Sequence, residues 1–397
     1  VTGPLHGLKV LDLTAILAGP YATMLLADLG ADVVKIEPPH GDLTRWIAPF
    51  PPGDGEGRLS GYFQSVNRGK RSIVLDLKSP GDRERFLELA ARADVVAENF
   101  SSGVMERLGL GYETLAAVNP RLVYAAIRGF GDPRTGESPY VSWPAFDIVA
   151  QAMGGFLSIT GTADGRPVKS GPGIGDLFPA ALMAVGIVAA VRHAERTGEG
   201  QFLDVAMYDA VLSLTERIVY QHSCTGDIPA PQGNSHPLIC PFDIFPTADG
   251  WVAVAAPSDR QWATIAELIG RPDMATDERY RTSPGRLEHA AEIRAAIEGW
   301  LEKKTNREVV ACLGGRVPIG PVNDVAAIFA DPHVRARRML VGLDDPAGDQ
   351  PTTVAGQPIK FTRTPAEPCR RAPVLGEDSP DAVLADWSAA DDQTGGL

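Results

Sequence analysis

Short apolar runs alternate with amphipathic stretches through the N-terminal third of the chain. LKVLDL, ADVVKIE, RSIVLDL, DVVAENF and RLVYAAIRGF read as strands, because brief continuous apolar runs bounded by turn residues suit strands covered on both faces. Between them, PYATMLLADLG reads as a helix closing on Gly30, and SPGDRERFLELAARA as a helix with Ser79 at its N-cap. Repeated strand-helix-strand units predict an α/β fold built on a largely parallel sheet.

The apolar stretch Leu177 to Val191 predicts a buried core helix: it falls short of the roughly 20 residues a membrane span needs, and it holds Pro179 and Gly186. GEGQFLDVAMYDAVLSLTERIVY then reads as strand followed by helix. The texture changes near Cys224. CTGDIPAPQGNSHP has the Pro, Gly and polar content of a linker, and CPFDIFPTADGWVAVAA that of a hairpin turning at Ala248, Asp249 and Gly250. Helices follow in DRQWATIAELIG and HAAEIRAAIEGWLEKK. The expected organisation is a large domain over 1–224, a smaller α+β domain over 225–330, and a segment over 331–397 that returns to the large domain. That segment carries strand-like TTVAGQPIKF and ends in the polar ADDQTGGL, whose tip is expected to be mobile.

Composition narrows the class. The chain has 397 residues, 44% hydrophobic and 22% charged, with 42 Gly and 33 Pro, as in a loop-rich globular α/β protein. A formal charge of -13 speaks against nonspecific binding to nucleic acid or an anionic membrane. Cys224, Cys240, Cys312 and Cys369 are far apart and form no CxxC pair, so reduced thiols in a cytosolic setting are expected, with no metal site.

The first βα turn, TAILAGP, lacks the G-x-G-x-x-G that admits a dinucleotide pyrophosphate. Basic residues do gather near strand ends: Lys35, Arg45, Arg68, Lys70, Arg71 and Lys78. Such residues suit a phosphorylated ligand, although for any one of them a solvated turn is an equal explanation. In VKSGPGIGDLFPA, three glycines in five residues precede Asp176 just ahead of apolar helix. An aspartate there is a natural N-cap, worth about 1 kcal/mol. Pro179 would then fall at the third helical position and offer no N–H.

Four stretches together, ENFSSGVMERLG, PAFDIVAQAMGG, SGPGIGDLFPA and TGEGQFLDVAMYDAV, make the chain resemble the class III CoA transferases, the family that includes carnitine and formyl-CoA transferases and α-methylacyl-CoA racemases. The resemblance runs from PLHGLKVLDLTAILAGP to DPHVRARRML. It implies a Rossmann-like large domain and an interlaced homodimer. It also implies coenzyme A as substrate, with no tightly bound cofactor, lying near Ile16, Leu17, Lys35, Leu75, Lys78, Asn99, Phe100 and Arg107; Arg71 joins this group from the basic stretch.

By the same resemblance Asp176 is the nucleophile. Its attack on an acyl-CoA thioester would give a mixed anhydride and then an aspartyl-CoA thioester, to which a second acid is the acceptor. Gly173 and Gly175 would clear space for the acyl group. Asp147 matches a carboxylate beside the nucleophile, and a helix-start aspartate is an equal reading of it. Phe146 stands where racemases carry the His of their acid-base pair, which weakens a racemase using Asp147 and Asp176. Leu17 replaces a Gln that touches substrate in some relatives, which weakens formyl or oxalyl specificity. Tyr62 and Trp46 match positions near the substrate pocket, although aromatics at such spacing more often belong to a core. QGNSHPLICPF, with Gly233, Asn234 and His236, resembles a small-domain loop that closes over the partner's site; His236 itself reads as a structural hydrogen-bonding residue. A CoA-binding protein without catalysis is the remaining alternative. The two acids are left open.

Overall fold

The computed structural model describes residues 3–52, 59–344, 351–366 and 370–394. Six strands form one parallel sheet: β1 (Lys9–Asp12), β2 (Asp32–Glu37), β3 (Arg71–Val74), β4 (Val95–Glu98), β5 (Val123–Arg128) and β6 (Gln201–Ala206). Their order is β3-β2-β1-β4-β5-β6, the doubly wound order of Rossmann folds. Neighbouring strand residues go to opposite faces, and both faces are covered. Val10, Val33 and Val95 enter one core; Leu11, Val34 and Val96 enter the other, with Phe86, Leu89, Leu115 and Trp387. This is why the strands read as unbroken apolar runs. The order reverses between β1 and β4, and such a reversal opens a crevice beyond the carboxyl ends of the two strands.

Three helices carry or border the residues of this crevice: α1 (Ala18–Asp28), α2 (Asp147–Met153) and α3 (Ile174–Thr197). α3 has 24 residues and is long and apolar enough, by length and composition, to cross a membrane. Its Ala180, Met183, Ile187 and Ala190 belong to the core that α1 and the sheet share, so it packs as a core helix on that side. The opposite face is apolar but exposed, with Leu182, Val188 and a 67% exposed Val185. The expected burial of this helix therefore holds for one face only, because a straight helix cannot bury all its sides against one layer.

The chain divides into two compact units, one of Val1–Phe156, Ser170–Tyr220 and Pro332–Leu397, the other of Leu157–Lys169 and Gln221–Asp331. Leu157–Lys169 joins the second unit through a small ribbon: Gly161 bridges Pro167, and the amide of Gly233 donates to the Gly161 carbonyl at 3.1 Å. Two short polar turns carry no periodicity, so sequence reading leaves that excursion inside the large domain. In the second unit β7 (Phe242–Pro246), β8 (Trp251–Ala255) and β9 (Ile319–Pro321) form an antiparallel sheet. The β7–β8 turn closes with Thr247 N–H on the Gly250 carbonyl, 2.9 Å. Helices Asp259–Leu268 and Ala290–Leu301 cover this sheet with Trp262, Ile265, Ile293 and Ile297. In the first unit, β10 (Leu340–Leu343) and β11 (Thr352–Ala355) pair with each other, apart from the parallel sheet, and helix Pro380–Thr394 places Val383 and Trp387 in the second core. Cys369 and the tip of the polar tail, 395–397, lie outside the described residues.

Candidate active site

The crevice at the strand reversal holds two cavities of the first unit. One, of about 480 Å³, is lined by the turn after β1, by the end of β2 and the turn that follows it as far as Leu43, and by Leu75, Lys78, Phe100 and Arg107. The other, of about 280 Å³, is lined by Ile16 to Ala18, Asn99, the segment Val141–Phe146 and Asp176. Ala15, Ile16 and Phe100 line both. The groove and the cavity of the carboxylate thus adjoin along these residues.

Most of the basic residues singled out as anion contacts are engaged internally. Lys35 is buried, donates to the Thr14 carbonyl at 2.7 Å and lies 3.0 Å from Asp42. Arg45 pairs with Glu37 at 2.6 Å and Arg68 with Asp28 at 2.7 Å. Lys70 meets Asp12 at 2.8 Å and also donates to Asn67 and the Pro20 carbonyl. Burial lowers its pKa to about 8, against the pull of Asp12. Arg71 sits 3.0 Å from both Asp378 and Asp386 and ties β3 to the C-terminal helix. A cation at the end of a buried strand must be paired where it stands, so these five are held by the fold; Lys35 still lines the groove, and Arg71 lies outside its lining. Lys78 and Arg107 are different: both are exposed, both line the groove, and neither forms an ion pair among the described residues. Exposed His40 lines it too. Sequence reading missed it, although a polar turn directly after β2 must overhang the crevice.

Asp176 does not cap its helix. α3 begins at Ile174 with Gly173 in the cap position and no side-chain cap bond, so Asp176 is its third residue. The cap comes from elsewhere. Asp147 opens α2, and its Oδ1 accepts the N–H of Gly175 at 2.8 Å. Gln151, one turn further along α2 and fully buried, donates to both Asp147 oxygens at 2.7 and 2.9 Å, while its own carbonyl accepts the Ser170 N–H at 3.1 Å. Both ends of the glycine loop are thereby tied to α2. A methyl group at Gly175 would lie 2.5 Å from the Asp147 carbonyl oxygen, so only glycine fits this approach. One at Gly173 would meet Leu17 at 3.4 Å, the Asp147 carboxyl carbon at 3.6 Å and Asp176 Oδ2 at 3.7 Å. Those three side chains therefore converge on the space that Gly173 leaves open.

The Asp176 carboxylate makes no hydrogen bond among the described residues. Its half-burial, and then the charge of Asp147, push its pKa up to about 6. Burial, together with the charges of Asp176 and Asp42, keeps the Tyr62 proton in place, so a neutral hydroxyl faces this carboxylate's field. The arrangement offers an ionised but poorly solvated carboxylate at neutral pH, as a carboxylate nucleophile requires.

The remaining candidates divide. Phe146 is 64% exposed on the wall of the Asp176 cavity. Trp46 is 57% exposed, with its indole N–H on the His40 carbonyl at 3.3 Å, so the core reading of this aromatic fails. Asn99 grips the Ala15 backbone. Gly233, Asn234 and His236 lie in the second unit, where Gly233 has φ +68° and His236 Nδ1 accepts the Leu238 N–H at 3.0 Å. Trp143 and Gln151 escaped the sequence reading. Gln151 could have been found as the residue one helical turn after Asp147, and Trp143 as part of the segment following β5. Among the described residues, no group of His, Cys, Asp and Glu side chains is arranged to hold a metal.

Comparison with known proteins finds relatives that span most of the chain. A family model described as CoA-transferase family III covers residues 5–379. A succinyl-CoA:mesaconate CoA-transferase of Haloarcula hispanica is 54% identical over 375 residues, 94% of this chain and 94% of the relative. A succinate–glutarate CoA-transferase of Agrobacterium fabrum is 40% identical over 380 residues, 94% of this chain and 93% of the relative. Among solved structures, a CAIB/BAIF family protein from Brucella suis superposes with a TM-score of 0.85 at 37% identity, covering 98% of this chain and all of the other.

Proposed function

Because the chain belongs to CoA-transferase family III and is thereby an acyl-CoA:carboxylate CoA-transferase, we propose that Asp176 is its covalent nucleophile and that dicarboxylic acids are its substrates. The observation that carries the first part is the Asp176 carboxylate itself, without a hydrogen-bonding partner among the described residues, raised to a pKa of about 6, in a cavity that shares wall residues with the groove that Lys78 and Arg107 border.

The steps derive from that placement. An Asp176 oxygen attacks the thioester carbonyl; the tetrahedral oxyanion collapses, the C–S bond breaks, and coenzyme A leaves as thiolate. The thiolate attacks the Asp176 carboxyl carbon of the mixed anhydride and releases the donor acid as its carboxylate. The acceptor carboxylate attacks the aspartyl thioester and expels thiolate again, which takes the new acyl group and restores Asp176. Each activated acyl bond replaces another, so no external energy source enters. Gly173 leaves room for the tetrahedral carbon.

Succinyl-CoA as donor follows the Haloarcula relative, and the acceptor is sought among small dicarboxylic acids because both curated relatives are named for them. The racemase reading has less support, since Phe146 carries no proton and both Asp147 oxygens are engaged. We place the protein in the cytosol as a homodimer; the dispersed thiols and the exposed apolar face of α3 at Leu182, Val185 and Val188 support this.

Mass spectrometry after mixing with succinyl-CoA tests the mechanism. An adduct of coenzyme A on the peptide containing Asp176, discharged by mesaconate or glutarate, is the expected result. Exchange at near wild-type rate by Asp176→Asn would overturn it.

A further inference from the structure

Ile16 has φ +71°. For a β-branched residue this is a genuine outlier, because its crowded Cβ approaches the neighbouring backbone, and such a conformation persists only where its surroundings over-determine it. They do so here. Asn99 Oδ1 accepts the N–H of Ala15 at 2.8 Å, and Asn99 Nδ2 donates to the carbonyl of the same residue at 2.8 Å. Both backbone groups immediately before Ile16 are thus locked by a side chain at the carboxyl end of β4. Lys35 and Asp12 hold the next residue back, through the Thr14 carbonyl and amide. The strained residue also stands at a special place, since Ile16 and Phe100 are shared walls of the groove and the Asp176 cavity, and Phe100 follows Asn99 directly in the chain.

We propose that Asn99 is a positioning residue that holds Ile16 in its strained conformation and so sets the neck through which the thioester end of coenzyme A reaches the reacting carboxylate. It fixes one wall through Ala15 and carries the other as its own neighbour. Its amide is engaged at both ends, which assigns it to the protein backbone in place of the expected contact with coenzyme A. The inference rests on the reading that the thioester enters from the groove.

A double-mutant cycle tests it, with CoA-transfer turnover and the dissociation constant of free coenzyme A measured for each protein. Asn99→Ala should lower kcat by about tenfold or more while the constant for coenzyme A changes by less than about threefold. In an Ile16→Gly background, where glycine takes a positive φ without strain, the same change should lower kcat by about threefold or less. Equal losses in both backgrounds would overturn the proposal, as would a dissociation constant that rises in step with the lost activity. Asn99→Asp keeps the acceptor for Ala15 N–H and removes the donor to its carbonyl, so it repeats the cycle should the alanine variant fail to fold. The cycle reads CoA transfer whichever group is the nucleophile. Retained exchange by Asp176→Asn would therefore remove that reading and leave this one to its own result.

Discussion

The amide of Gly175 donates to Oδ1 of Asp147 across 2.8 Å, so the helix that carries Asp176 is capped by a side chain of another helix. This one bond joins two properties of the site: where α3 starts, and how much negative charge Asp176 faces.

Asp147→Asn separates them. The amide oxygen can still accept from Gly175, while the charge is gone. Because burial is the larger cause of the raised Asp176 pKa, the acidic limb of the kcat/KM profile should move below its midpoint near pH 6 yet stay above the ordinary aspartate value. Asp147→Ala removes the acceptor as well and leaves buried Gln151 without its carboxylate, which should destabilise the protein by about 1–3 kcal/mol in urea unfolding. An unmoved acidic limb in the asparagine variant would count against this coupling.

Asp176→Asn should stabilise the protein at neutral pH. A folded-state pKa raised from 3.8 to about 6 means that ionisation opposes folding, by an amount absent below pH 3.8, growing between the two values and complete above pH 6. The full shift corresponds to about 3 kcal/mol, and solvent access to a half-buried group reduces this to about 1–2 kcal/mol. Denaturation curves at pH 7.5 should show that gain, and curves at pH 4 should not.

Gly173 and Gly175 should respond differently to alanine. At Gly175 the methyl group meets the Asp147 carbonyl oxygen at 2.5 Å, so Gly175→Ala should lose about 2 kcal/mol or more of stability together with activity. At Gly173 the contacts are 3.4 to 3.7 Å and φ is an ordinary -71°. Gly173→Ala should therefore unfold within about 0.5 kcal/mol of wild type and still lose transfer, because the methyl group occupies the space beside the carboxylate.

Charge changes around the groove should sort by whether the base is already paired. Lys78→Ala and Arg107→Ala should each weaken coenzyme A by about 3- to 10-fold, less so at high salt. Arg71→Ala should leave that affinity within about twofold and lower stability through Asp378 and Asp386. Calorimetric titration with coenzyme A in low and high salt distinguishes the two groups.

The parallel sheet was legible because its signal is local: Val10 and Leu11, or Val95 and Val96, enter opposite cores as neighbours in the chain. The βαβ order and the hairpin at Asp249 were legible for the same reason. Pairing partners were not. Nothing within a few residues of Lys70 or Arg71 announces Asp12 or Asp378, so a buried strut and a free cation look alike until the chain is folded. Asp176 illustrates the same limit. Its neighbours favour a cap, and the residue that removes that role, Asp147, lies 28 positions before Gly175, whose amide it takes. The strain at Ile16 has no sequence signature either, since isoleucine is among the last residues a positive φ would suggest.

α3 holds Asp176 by its backbone in the first turn of a 24-residue helix, whereas Val141–Phe146 faces it from a segment outside any helix or strand. The carboxylate is thus mounted on a rod, and much of the cavity wall around it on a loop. With Asp176 as the proposed nucleophile, such a division separates reactivity from choice: insertions or exchanges in the loop can retune which acid is accepted while the geometry at the carboxylate is inherited intact.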